Sequence, residues 1–153
     1  MAGTLALSGN DSFILDGRIF RDFADGNYVE TKFPNDQAVA KTGKNGNSIY
    51  SYNATGLMVE TVLRLIRGSA DDVYMNGRLQ SQNANFAGFV LMVGEMTKKL
   101  GQGDGTITSD IYIMSGGIFK RGVDAKSNAE GDTEQSVSIY TIQFTNAPRA
   151  ITK

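Results

Sequence analysis

The sequence predicts a mainly β protein, a β-sandwich or barrel that carries one α-helix and one long polar loop. Short stretches of alternating apolar and polar residues recur along the chain, and turn-forming residues separate them. Glycine supplies 18 of the 153 residues but proline only 2, which suits many strands joined by tight turns. One segment, which follows Ser69, instead has the signals of a helix start. No internal repeat or domain boundary is evident, so residues 1–153 are expected to form a single domain.

The first predicted element is a β-hairpin. Asp16-Gly17 is a favoured two-residue hairpin loop, because both of its positions need a positive φ. Strands are therefore expected at residues 12–15 and 18–23. Residues 28–33 alternate between apolar and polar side chains, which is the pattern of a half-buried strand.

The longest polar stretch, residues 34–47, is expected to be an extended loop or a hairpin arm. Loops of this length are uncommon in compact domains and are usually functional or mobile. Residues 48–53 are predicted to return as a strand. The two ends of the chain, residues 1–11 and 146–153, are expected to form terminal arms.

The strongest apolar block, residues 57–66, fits a strand by its alternation and a helix by its content of Leu, Met, Glu and Arg. The next residues decide between the two. Ser69 is expected to cap a helix that has Asp71 and Asp72 in its first turn, where acidic side chains favour the helix dipole. A helix over residues 70–82 makes the apolar block a long strand.

The second half of the chain is predicted to contain three more strands. The nearly continuous apolar run at residues 86–93 is typical of a buried strand, and residues 106–114 alternate. Residues 101–105 are glycine-rich, but a strand pattern follows them, so they indicate a hairpin loop and not a phosphate-binding loop. Gly116-Gly117 is expected to turn the chain, and residues 135–144 are the last predicted strand.

The missing residue types exclude several kinds of chemistry. The chain has no His and no Cys, which excludes disulfides, metal sites built on imidazole or thiolate, and catalytic triads that need either residue. The formal net charge of −1 does not indicate a basic surface for nucleic acid. No stretch approaches the roughly 18 apolar residues of a membrane span, and the start lacks the features of a signal peptide. We therefore expect a soluble, intracellular protein without catalytic residues, cofactors or metals.

Two other groups of side chains are candidates for chemistry. The adjacent carboxylates of Asp71 and Asp72 could do acid–base work, but their place at a helix start, where acids favour the helix dipole, is the preferred explanation. Three aromatic residues could form a stacking platform for bases or sugars, although aromatic residues are also ordinary in strands: Phe33, Tyr50 and Tyr52.

The order of these elements resembles the tail-tube proteins of contractile-tailed bacteriophages. The matching features are the strand after Gly56, the Ser69-led helix that interrupts the sheet, and the alternating strand that ends near Asn146. They lie in the segments GLMVETVLRLIRGSADDV, TITSDIYIMSGGIFKR and SVSIYTIQFTNA. The N-terminal FILDGRIF and YVETKF and the long polar loop also fit, so the resemblance covers nearly the whole chain as a pattern of elements.

The resemblance implies a structural protein and not an enzyme. In that family six subunits form a ring, each subunit lends strands to one closed barrel around a lumen, and rings stack into a tube. The implied partners are other copies of the chain and the sheath, tape-measure and baseplate proteins. DNA passes through the lumen without specific binding, and nothing inserts into a membrane. The implied location is the tail of a virion that is assembled in the host cytoplasm.

Within this interpretation, the long loop is the candidate for the contact between rings. Its polar cluster is expected to pair with acidic residues of a neighbour such as Asp104, Asp110 or Glu134. That cluster consists of Lys41, Lys44, Asn45 and Asn47. Carboxylates on sheet strands are the candidates for the lumen, namely Glu30 and Asp110.

Two alternatives stay open. Related tubes occur in contractile bacteriocins and in type VI secretion, and the sequence pattern suits them as well. A β-sandwich module that binds a carbohydrate or another protein is the alternative from a different functional class.

Overall fold

The computed structural model describes residues 6–7, 11–24, 26–127, 129, 131 and 133–152. About half of these residues lie in strands, and the fold is mainly β, as the sequence predicts. The single α-helix of the described residues, α1, spans Ala70–Ala84. The strands are β1 (Ala6–Leu7), β2 (Ser12–Leu15), β3 (Arg18–Ile19), β4 (Val29–Lys32), β5 (Ala38–Thr42), β6 (Ser48–Tyr52), β7 (Val59–Ile66), β8 (Met92–Gly101), β9 (Ile107–Phe119), β10 (Asp124–Ala125), β11 (Val137–Phe144) and β12 (Arg149–Thr152).

Ten of these strands form one antiparallel sheet, in the order β3-β2-β8-β9-β11-β7-β4, with β1, β10 and β12 paired beside this path. The long strand β9 belongs to two layers. Its first part pairs with β8 and β12, and its end pairs with β11. We call β1, β2, β3, β8, β9 and β12 the first layer, and β4, β7, β10 and β11 the second layer. Over the described residues the sheet does not close into a barrel.

The hydrophobic core lies between the two layers and under α1. Alternate residues of β2 and β7 face inward, which gives the buried side of each strand, whereas β11 is buried on both faces. The largest fully buried side chains come from both layers and from the helix: Phe13, Leu15, Val59, Leu63, Leu65, Met75, Met92, Met114, Tyr140, Ile142 and Phe144. Burial of this apolar surface is the main force that holds the layers together.

The predicted hairpin forms at Asp16-Gly17, where both residues have a positive φ, 50° and 80°. Ile14 pairs with Ile19 across the turn. Helix α1 begins directly after Ser69, as expected, and ends at Ala84, two residues beyond the predicted end. The loop at residues 101–105 joins the antiparallel neighbours β8 and β9, which confirms that it is a hairpin loop.

The strand predicted at residues 86–93 is wrong in position. Residues 86–91 form a turn, in which the Gly88 N–H donates to Asn85 Oδ1 at 3.1 Å, and the strand begins only at Met92. The continuous apolar run therefore does not mark the buried strand. The alternation further along marks it, because Met92 and Gly94 face the core while Val93 and Glu95 are exposed.

The turn predicted at Gly116-Gly117 is also wrong, since β9 continues through both glycines to Phe119. A register shift in the pairing of β8 with β9 shows a β-bulge here. Gly117 is needed for close packing, because a Cβ on it would lie 2.5 Å from Phe144 Cε1. The glycines bend a strand and do not end it.

The C-terminal segment expected as an arm, 146–153, adds the strand β12 at the margin of the first layer. Of the N-terminal segment expected as an arm, residues 1–5 and 8–10 lie outside the described residues. Ala6–Leu7 pairs with the end of β8 as β1.

Candidate assembly surfaces

The segment predicted as a loop or hairpin arm, residues 34–47, contains β5 and the turn that follows it, and the strand predicted at residues 48–53 is β6. The two strands pair only with each other in the described part of the chain. We call residues 38–52 the arm. Each of its strand residues is exposed. An isolated two-stranded hairpin is marginally stable in water, because it has no sheet or helix to bury its apolar side chains.

Both faces of the arm carry exposed apolar side chains. On one face Tyr50 and Tyr52 are 76% and 70% exposed, opposite Ala40 and Ala38 on β5. The other face contains Val39, Lys41 and Ile49, with Lys41 directly opposite Ile49. A strand that faces water on one side normally carries polar residues there. The arm therefore has the composition of an element that is covered on both faces.

The base of the arm is held in place by hydrogen bonds between its two ends. The Asn53 N–H donates to Gln37 O at 2.7 Å, and Asn53 Nδ2 donates to Asp36 O at 2.9 Å. Gly56 lies directly against this segment, since a Cβ on it would lie 2.5 Å from Gln37 Cα. These contacts fix the point from which the arm leaves the sheet.

The candidate ring-stacking residues all lie in the arm and are exposed. Lys41 is in β5, and Lys44 and Asn45 are in the turn, which is closed by a hydrogen bond from Gly43 N–H to Asn47 O at 2.7 Å. The acids expected as partners have contacts within the chain. Asp110 pairs with Arg149, Glu134 lies 3.4 Å from Arg64, and Asp104 accepts from the Thr106 N–H.

The two lumen candidates are not brought together. Glu30 lies on β4 in the second layer and Asp110 on β9, with β11 and β7 between them in the sheet order. Glu30 is partly exposed and 3.8 Å from Lys32. Asp110 accepts two hydrogen bonds of 2.7 Å from Arg149, which hold its pKa below the ordinary value of a carboxyl group although burial acts in the opposite direction. Asp110 is thus part of an ion pair that attaches β12.

A groove on the outer face of the first layer was not anticipated from the sequence. It has a volume of about 290 Å³ and is lined by Ile14, Val93, Glu95 and Ile113, among others. Glu95 lies between Ile14 and Ile113, its direct neighbours on the adjacent strands. Ile14 comes from β2, which is distant in the sequence from the β8–β9 hairpin that carries Glu95 and Ile113, so no local pattern could have grouped all three.

Strand β12 leaves one sheet edge open in the described residues, because it pairs only with β9. The Ile113 N–H donates to Pro148 O at 3.1 Å. Hydrogen-bonded and non-hydrogen-bonded residue pairs alternate along an antiparallel ladder. Because Pro148 and Ile113 form a hydrogen-bonded pair, Arg149 and Ile151 lie at non-hydrogen-bonded positions, and their amide groups point away from β9. An edge of this kind accepts a further strand.

The carboxylates considered for acid–base work connect α1 to the sheet. Asp71 is buried and accepts from Arg18 Nη2 at 2.9 Å and from the N–H groups of Arg21 and Asp22 at 2.8 and 2.9 Å. Burial acts to raise the pKa of Asp71, but these donors outweigh it and the pKa is lowered. Ser69 is the N-cap of the helix and accepts from the Asp72 N–H at 3.3 Å.

Asp72 has a structural contact of its own. The Tyr140 hydroxyl donates to Asp72 Oδ1 at 2.5 Å, and the Gly68 N–H donates to Asp72 Oδ2 at 2.8 Å. Burial and the negative charge of Asp72 raise the pKa of Tyr140. Asp72 also lines an open cavity of about 310 Å³ with Arg67, Ser138 and Tyr140. The contacts of both carboxylates hold α1 against the sheet.

Over the described ranges, no group of three or more His, Cys, Asp or Glu side chains lies close enough to hold a metal ion. No helix in the same part of the chain is long and apolar enough to cross a membrane. Neither a scan against protein-family models nor a search of curated proteins found a match to this chain.

Proposed function

We propose that this chain is the repeating subunit of a tube of stacked hexameric rings, of the type through which contractile-tailed bacteriophages deliver DNA. The observation that carries the proposal is the exposed arm with apolar side chains on both faces. Such an arm is stabilised when neighbouring subunits cover it, because a free hairpin buries too little surface to be stable. The ring number and the cargo come from the resemblance of the sequence to tail-tube proteins.

The open edge at β12 supports the same proposal. Exposed strand edges invite uncontrolled pairing, and closure into a barrel removes them. A head-to-tail contact between identical subunits closes into a ring when its rotation permits, and repeated stacking then gives a filament. The arm and the β12 edge lie on different strands, so one subunit has separate surfaces for two kinds of contact.

Electron microscopy of the purified protein tests the proposal directly. Wild-type protein is expected to form rings or tubes in negative stain and large particles in light scattering. Replacement of Ala38–Tyr52 by an Asn-Gly turn is expected to leave a folded subunit that forms no tubes. The deletion is feasible because Gln37 and Asn53 are already hydrogen-bonded to each other. Normal tubes from the armless variant, or a wild-type protein that stays monomeric at high concentration, would contradict the proposal.

A matched pair of substitutions separates the arm from general surface effects. Ile49 on the arm and Val73 on α1 are 68% and 66% exposed, and both are β-branched. Ile49→Asp is expected to prevent tube formation, whereas Val73→Asp adds the same charge to the helix and is expected to leave tubes intact. Circular dichroism of both variants establishes that each is folded.

A carbohydrate-binding module is the second candidate, because Tyr50 and Tyr52 are exposed on one face of the arm. Aromatic rings in such an arrangement stack on sugar rings. Under this alternative the protein is a monomer or dimer that binds glycans, and Tyr50→Ala abolishes glycan binding. Light scattering distinguishes the two functions before any ligand is tested.

A further inference from the structure

Glu95 is an isolated carboxylate in an apolar surface. Its neighbours across both adjacent strands are Ile14 and Ile113, and its nearest hydrogen-bond partner is the Thr97 hydroxyl at 3.4 Å. Among the described residues Glu95 has no ion pair, and it is the only charged residue that lines the groove of about 290 Å³. A partner that covers this groove removes the carboxylate from water, which is costly unless the partner brings a cation.

Lys41 has the complementary surroundings on the arm. Its neighbour across the hairpin is Ile49, and Val39 lies on the same face two residues away. Lys41 has no ion pair in the described part of the chain, and residues 38–52 contain two lysines and no acidic residue. One face of the arm thus presents a cation between branched aliphatic side chains, and the groove presents an anion between two isoleucines.

We propose that one face of a subunit's arm, the face that carries Val39, Lys41 and Ile49, binds in the groove around Glu95 of a second copy of this chain. In this contact Lys41 pairs with Glu95. Every strand residue of the arm is exposed in this structure, so the arm does not cover the groove of its own chain and a second copy supplies it. This inference rests on the proposed function and adds to it the surface on which the arm binds. The aliphatic side chains supply the buried area. The charge pair fixes the position of the arm in the groove and disfavours other binding sites.

Charge-reversal variants of Lys41 and Glu95 test whether the arm binds in the groove. Lys41→Glu and Glu95→Lys are each expected to raise the protein concentration needed for tube formation by at least about tenfold, because each places like charges in a covered contact. The double variant Lys41→Glu/Glu95→Lys restores opposite charges and is expected to assemble at nearly the wild-type concentration. The matched control is Lys44→Glu/Glu95→Lys, which has the same net charge but leaves Lys41 opposite a lysine, so it is expected to stay defective.

The outcomes separate this inference from the proposed function. If the wild-type protein forms tubes and Glu95→Lys assembles normally, the arm does not bind in the groove around Glu95, and the tube proposal is unaffected. Two defective single variants without rescue in the double variant would also overturn the pairing of Lys41 with Glu95. A wild-type protein that never forms rings or tubes would overturn both proposals. If tube assembly is restored in Lys41→Glu/Glu95→Lys but not in the Lys44→Glu/Glu95→Lys control, the result supports binding of the arm in the groove.

Discussion

At the scale of single residues, Asp71 is the side chain on which the attachment of α1 most depends. Its carboxylate accepts from Arg18 and from two backbone N–H groups of the segment after β3. Asp71 is the one acceptor that the described residues provide for these donors. A buried acid in a helix start is therefore a structural anchor here, although the sequence allowed a chemical role.

Removal of this anchor is expected to destabilise the fold strongly. Asp71→Ala leaves the Arg18 guanidinium and the Arg21 and Asp22 N–H groups without their acceptor. Loss of one partner of a fully buried pair costs about 3–5 kcal/mol, and because the Arg18 side chain is 36% exposed the expected loss here is about 2–3 kcal/mol. Urea unfolding measures the loss. The exposed Asp124→Ala is the control and is expected to change the free energy of unfolding by less than about 0.5 kcal/mol. Equal effects of the two substitutions would show that the contacts of Asp71 contribute little.

The same contacts predict how stability depends on pH. The pKa of Asp71 is lower in the folded state than the value of about 3.9 expected in the unfolded chain, so the unfolded state binds more protons in this range. The stabilisation is complete above the unfolded pKa and is lost as the pH falls through the folded pKa. Urea midpoints measured from pH 7 down to pH 3 are expected to fall less steeply for Asp71→Asn than for wild type. Parallel curves would contradict this assignment.

At the scale of elements, two glycines that look alike in the sequence have opposite roles. Gly117 lies in β9 against the Phe144 ring, and a Cβ there also lies 3.0 Å from Met92 O. Gly77 lies within α1, where a Cβ meets nothing within 4 Å. Gly117→Ala is expected to lower the free energy of unfolding by about 1–3 kcal/mol through overpacking. Gly77→Ala is expected to raise it by about 0.5–1 kcal/mol because alanine favours the helix. Thermal unfolding of both variants checks the two signs, and equal signs would refute the assignment.

The elements that the sequence predicts well are those specified by local chemistry. Asp16-Gly17 predicts its hairpin and Ser69 predicts the start of α1, because turn geometry and capping depend on neighbouring residues alone. The predictions at residues 86–91 and at Gly116-Gly117 are wrong because tertiary packing determines the conformation of both segments. Whether an apolar run is a strand, and whether a glycine bends or ends it, depends on the strand that pairs beside it.

At the scale of the whole molecule, the candidate assembly surfaces were only partly predictable. The arm is visible in the sequence as a polar stretch of unusual length, so Lys41 and Lys44 could be proposed from position alone. The Glu95 groove could not, because Ile14, Glu95 and Ile113 become neighbours only through the pairing of β2, β8 and β9. Asp110 is a candidate for the lumen because it is a carboxylate on a predicted strand, but its pairing with Arg149 depends on a strand about forty residues away and is not visible in any local pattern.

Assembly is expected to change the stability of the arm far more than that of the core. In a subunit kept monomeric by Ile49→Asp, the arm has only its own hairpin hydrogen bonds, so its amides should exchange with solvent nearly as fast as in an unfolded peptide. In wild-type tubes neighbours cover the arm, and its exchange is expected to slow by at least about tenfold. The amides of β7 and β11 line the buried core and should exchange slowly in both states. Hydrogen exchange followed by mass spectrometry measures all of these segments in one experiment. Strong protection of the arm in the monomer would mean that the hairpin is stable alone, and the main physical reason for proposing a covering subunit would be lost.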